Sequence, residues 1–176
     1  MVANSSWTRF WFLGLLPVVR AGGDPDHHRS AVGRMAAEAV FWTPAAFLPG
    51  PGIRWEVLDA DTARLVIRIG DHEHVIDVSV TAAGQPTRIV LQRWSNANPE
   101  KIYRLQTFGG DLSEFRAVEG YRVPMRVEGG NLIGTEAYFP FYKAEILQIR
   151  YLDQSGRHSA PQNSQADGSK DIVKDA

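Results

Sequence analysis

The sequence predicts an α+β fold, mainly antiparallel β: a curved sheet or half-barrel of about eight strands with one long helix packed on its concave face. Three observations carry this reading. An alanine-rich stretch with helical periodicity ends at Trp42, and from Ile53 onward the apolar period changes from 3.6 to 2. The strands so marked are joined by connections too short for parallel crossovers, which need a dozen residues or more.

The helix is legible from its ends inward. Asp24 is an N-cap that accepts orphan amide bonds, Pro25 loses nothing at the first helical position, and Asp26 favours the positive end of the dipole. Val32, Met35, Ala36, Ala39, Phe41 and Trp42 then recur at helical spacing as its apolar face. Thr43-Pro44 stops the helix after about 15 residues. Leu48-Pro49-Gly50-Pro51-Gly52 is a loop.

Strands follow over 53–57, 63–69, 76–80, 88–94, 102–108, 112–118, 121–127, 132–139 and 143–151. Turn geometry is expected to account for Gly109-Gly110 and Gly129-Gly130 as loops between strands. Pro124 cannot donate to a ladder, so its strand should lie at an edge or carry a bulge. One helix cannot cover both faces of so large a sheet, so the sheet must curl around it or leave an apolar concavity.

The two ends read differently from the middle. Phe10 to Val19 is a compact apolar run between Arg9 and Arg20, with a Val19-x-Ala21 ending that looks like a short signal peptide. Its bulky aromatics and Arg20 at the would-be cleavage site favour a buried leading segment of the domain, and with it a cytoplasmic rather than exported chain. Asp153 to Ala176 is rich in Ser, Asp, Gln and Gly and cannot bury enough surface to offset the entropy of ordering it. The expected organisation is one domain over residues 10–152 and a disordered tail over 153–176.

Composition excludes several classes of function. The absence of cysteine among 176 residues removes disulfide scaffolds, cysteine nucleophiles and thiolate zinc sites. Nineteen basic against 20 acidic residues leave no electrostatic footprint for nucleic acid. No apolar run approaches the roughly 20 residues of a spanning helix.

His72-Glu73-His74 places two imidazoles on one face of a strand, as a metal site would need, but spacing indicates no third ligand. His27 and His28 are adjacent on a helix and cannot chelate one ion together. Neither a nucleophile elbow, a phosphate loop, a dinucleotide fingerprint nor a zincin motif occurs. We therefore assign no catalytic residue, no metal site and no cofactor. The aromatic residues are the remaining resource, and Trp42, Phe108, Phe115, Tyr121, Tyr138 and Phe141 are the candidate ligand-binding set. They point to non-catalytic binding of a lipophilic small molecule or acyl chain in an apolar cavity. The alternatives are an enzyme using the same cavity, with His72 and His74, and a structural module completed by another chain, including a homo-oligomer.

Five stretches carry a family resemblance: Leu15-Leu16-Pro17-Val18-Val19, residues 37–44, residues 48–55, Phe108-Gly109-Gly110 and Gly120-Tyr121-Arg122-Val123-Pro124. Through them the chain resembles a bacterial family of unknown function over roughly residues 10 to 151. Members of that family carry further sequence before the Leu-Pro-Val segment, so the chain resembles a short or N-terminally truncated member. The strand around Tyr121 is also similar in style to periplasmic lipoprotein-carrier half-barrels, which hold acyl chains. That second likeness concerns the fold and transfers no function by itself. Neither resemblance brings catalytic residues.

Overall fold

The computed structural model describes residues 6–151. Two strands, β1 (Trp7–Phe12) and β2 (Leu16–Gly22), precede the helix α1 (Pro25–Trp42) and a short 3-10 helix at Pro44–Phe47. Seven strands follow: β3 (Ile53–Val57), β4 (Thr62–Ile69), β5 (His72–Val80), β6 (Pro86–Ser95), β7 (Arg104–Val118), β8 (Tyr121–Asn131) and β9 (Phe139–Glu145). They form one open antiparallel sheet in sequence order, while β1 and β2 pair as a separate ribbon. A mainly antiparallel sheet with one helix on it is the predicted class.

The helix begins as its sequence dictates. Asp24 Oδ1 accepts the His27 amide at 2.8 Å, and Pro25 opens the first turn. At the other end Thr43 returns both its amide and its hydroxyl to the Ala39 carbonyl, at 2.8 and 2.9 Å. Its buried face is rotated from the expected one. Ser30, Gly33, Ala36, Ala37, Val40 and Phe41 are buried, whereas Met35 is 58% exposed. The reason is close approach. A Cβ on Gly33 would sit 3.3 Å from His74 Nδ1, so small residues let α1 lie down on β5 and β6 along the Gly33–Ala37 line.

The core is a row of residues in register across the sheet. Leu65, Ile76, Leu91 and Phe108 stand opposite one another on β4 to β7, and all are buried beneath α1. The outer face is charged and cross-linked. Arg64 forks onto Asp77 at 2.7 and 2.9 Å, Arg88 meets Asp111 at 2.6 Å, and Lys143 meets Glu128 at 3.4 Å. Exposed pairs of this kind contribute little each, but they keep that face in water.

Three expectations about the large sheet are corrected. The strands expected over 102–108 and 112–118 are one strand, β7, which runs straight through Gly109-Gly110. Gly129-Gly130 likewise lies inside β8, and the two pairs face each other in register. A Cβ on Gly110 would meet Glu128 O at 2.8 Å, and one on Gly129 would meet Gly109 O at 2.7 Å. These glycines bring strands close rather than turning the chain. Residues 132–138 form a turn, not a strand, and β9 spans only Phe139–Glu145 of the two segments expected there.

Pro124 lies on an internal strand, but past the point where β9 ends. The β8–β9 ladder runs from Arg126↔Glu145 to Asn131↔Phe139, so β8 is locally an edge at Pro124. The apolar segment at 10–19, expected as a buried leading segment, is instead an exposed hairpin. The tail expected over 153–176 lies outside the described residues.

Candidate functional site

The C-terminal end of α1 is tied down from two sides. Trp42 Nε1 donates to the Pro124 carbonyl at 3.3 Å, using the edge that β9 leaves free. The Tyr151 hydroxyl donates to the Trp42 carbonyl at 2.7 Å. Tyr151 and Tyr121 meet edge to face, with ring centroids 5.6 Å apart. Because the 3-10 helix turns away immediately after Thr43, a groove of ≈ 180 Å³ opens between Thr43, Pro44, Ala45 and Ala46 on one side and Tyr121 and Tyr151 on the other. Burial pushes the Tyr151 hydroxyl above its ordinary range, with Tyr121 and Glu119 adding to it. It therefore stays a neutral donor, already engaged, and the groove offers apolar surface.

The six aromatic residues assigned from sequence do not converge. Trp42 is half-buried beside this groove, and Tyr121 lines it, 41% exposed. Phe108 is core, 6.2 Å from the exposed ring of Phe141, and Phe115 packs partly buried against the core. Strict alternation would turn Phe115 away from Leu112, but Glu114 adopts φ 55 and breaks the pleat. Tyr138 belongs to the other side of the sheet. Burial raises its hydroxyl pKa, as do Asp111 and Glu128, while Arg88 opposes them, and these three line the outer face.

The space between α1 and β7 to β9, where a ligand cavity was expected, is nearly closed. A gap of ≈ 20 Å³ remains beside Ala37, Phe41, Phe108 and Tyr142, room for about one water. The helix itself fills the concavity.

Two further groups lie under the helix. Arg93 rests 5.0 Å over the Phe108 ring, and its Nε reaches the Ser30 carbonyl at 3.4 Å. Burial pulls its pKa down to about 10, helped by Arg34 and opposed by Glu38 and Tyr103, so it remains charged at neutral pH. His74 is buried against Gly33 with Nε2 unpartnered, whereas His72 is exposed. Among the described residues, no three His, Asp or Glu side chains cluster as a metal site would require.

Burial holds the His74 pKa below its ordinary 6.5, with His72 and Arg29 adding repulsion. The unfolded chain therefore binds the proton more readily than the folded one. Titration of His74 should leave stability unchanged above about pH 6.5 and should lower it as pH falls from there toward the depressed folded value. We expect His74→Leu to flatten the stability–pH curve in that window; identical slopes for both proteins in denaturant melts would contradict this.

Residues that sequence reasoning missed are Tyr151, Ala45 and Ala46. Tyr151 is, by its sequence, only the end of the strand expected over 143–151. The available signal was the small pair Ala45-Ala46 directly after Pro44, a combination that leaves a hollow beside a helix end.

Fold and site together define an open antiparallel meander carrying one helix on its inner face, with an apolar groove at that helix's C-terminal end. The chain belongs to a family of unknown function (DUF6544), whose model matches residues 1–144. No curated protein matches it. No solved structure matches either, so the similarity to lipoprotein-carrier half-barrels rests on sequence style alone.

Proposed function

We propose that this protein binds a lipophilic small molecule without transforming it, and that the groove beside Tyr121 and Tyr151 takes the apolar end of that molecule. The observation that supports this is the lining: two tyrosine rings, Pro44 and two alanines, with the Tyr151 hydroxyl bonded to the Trp42 carbonyl and that of Thr43 to Ala39. A closed apolar cavity of about 150 Å³ accepts benzene, so ≈ 180 Å³ suits one ring or a short stretch of acyl chain, with the remainder lying outside. Whole-ligand pockets run to about 300–1,000 Å³, which argues for a partly exposed ligand held weakly. His74 packs at Gly33, about 15 Å along the helix from Thr43, and among the described residues no histidine lines this groove.

Titration with a fluorescent fatty acid tests the reading. We expect saturable binding that weakens at least fivefold in Ala46→Trp, which fills the groove at an exposed position. Binding that does not saturate, or equal affinity in the filled variant, would remove the groove as the site.

A further inference from the structure

The ribbon β1–β2 exposes apolar side chains on both of its faces. Cross-strand register places Phe10 with Val19 and Phe12 with Leu16 on one face, and Trp11 with Pro17 on the other. Phe10, Trp11, Phe12 and Leu16 are 52–63% exposed, and Leu13 and Leu15 at the tip reach 80% and 78%. The tip is a tight turn closed by the Leu15 amide on the Phe12 carbonyl at 3.1 Å, with φ 51 at Leu13 and φ 71 at Gly14. A water-facing turn of this hand favours Asn, Asp or Gly at both central positions. Here a leucine occupies the strained position and projects outward.

Charge is ordered along the same ribbon. Arg9 and Arg20 stand directly opposite each other, nearer the base than all of these apolar residues, and Arg20 lies 4.5 Å over the Trp7 ring. Residues 6–23 contain no carboxylate. The next acids along the chain, Asp24 and Asp26, accept from the His27 amide and from Trp94 Nε1 at 2.7 Å. The base is anchored to the domain through Ser6 and Thr8, whose hydroxyls both reach the His27 ring.

We infer that the β1–β2 hairpin docks the protein onto an anionic lipid surface, its tip among the acyl chain ends nearest the headgroups and Arg9 and Arg20 at the phosphates. Two-sidedness favours lipid over a protein partner. A second chain covers one face of a ribbon and leaves the other wet, whereas lipid surrounds both. From the arginine pair to the tip is about 13 Å of strand. Insertion is shallow, because the outer edges of a two-stranded ribbon carry unpaired amides and carbonyls that the hydrocarbon core would not tolerate. Depths of about 5–10 Å are usual for such interfacial elements, with tryptophan at the boundary.

The inference uses no residue of the groove, so each can fail alone. Flotation of the full chain with vesicles of phosphatidylcholine plus phosphatidylglycerol, against phosphatidylcholine alone, tests it. We expect binding to the anionic vesicles that falls at least tenfold in Leu13→Asp/Leu15→Asp. Arg9→Gln/Arg20→Gln should lose roughly fivefold per arginine on anionic vesicles only. All of these positions are exposed, so thermal melts of the variants should match wild type. As a second measurement on the unaltered chain, brominated lipids should quench tryptophan fluorescence more when bromine sits near the headgroup than near the chain end. No flotation with anionic vesicles would overturn the proposal, as would flotation indifferent to the aspartates. Self-association without lipid that the aspartates abolish would assign the hairpin to a second copy instead.

Discussion

Gly130→Ala should destabilise the protein by at least about 3 kcal/mol, lowering the melting midpoint by roughly 10 °C. The added Cβ would fall on the backbone of Phe139 and Pro140, and neither atom group belongs to a flexible side chain that could swing away. Gly130 has no left-handed φ to confuse the outcome, so the loss reports close approach alone. Gly84→Ala is the control. It carries φ +77 in a turn with nothing near its would-be Cβ, and should cost only the left-handed penalty of about 1–2 kcal/mol. Equal losses in the two variants would mean that β8 and β9 do not approach closely at Gly130.

The second large effect is expected at Trp42. Truncation to alanine removes a half-buried indole, its edge-to-face contact with Phe41 at 4.7 Å and its bond to the Pro124 carbonyl. We expect a loss of about 2–4 kcal/mol, below the full-burial range because part of the ring is in water. Trp42→Phe keeps most of the packing and forfeits the hydrogen bond, for about 1 kcal/mol. Denaturant melts give both numbers, and the fatty-acid titration of the phenylalanine variant shows whether the helix end also shapes the groove. An alanine variant as stable as wild type would mean that α1 is held by its Gly33–Phe41 face alone.

What the sequence made legible is what local chemistry decides. Asp24, Pro25 and Thr43-Pro44 mark the helix ends because capping needs only neighbouring atoms, and the alternation in β4, β5 and β6 is clear because one face meets a single apolar layer. The helix face was misplaced because Gly33 contributes nothing to an apolar count, although its missing side chain decides which way α1 rolls. The paired glycines read as turns because composition cannot separate a glycine that bends the chain from one that admits a neighbouring strand. The aromatic set failed as a group for a similar reason. Tyr138 follows a turn that crosses to the outer face, and no period running through residues 132–138 could reveal which side it would reach. The hairpin was hidden because its residues are apolar and yet exposed, against the usual correspondence between the two.

Every ladder of the large sheet joins strands that are neighbours in sequence. Such a sheet can grow by successive hairpins, each closing a loop of a few residues, and this part of folding should be fast. The helix obeys a different clock. Its end is bonded to a carbonyl 82 positions later and to a hydroxyl 109 positions later. During synthesis α1 therefore emerges before the strands that cover it, with Val40 and Phe41 in water until β6 to β8 arrive. The first large element to be made is the last to be seated, and a hydrogen-exchange pulse during refolding should find the β4–β5 amides protected before those of α1.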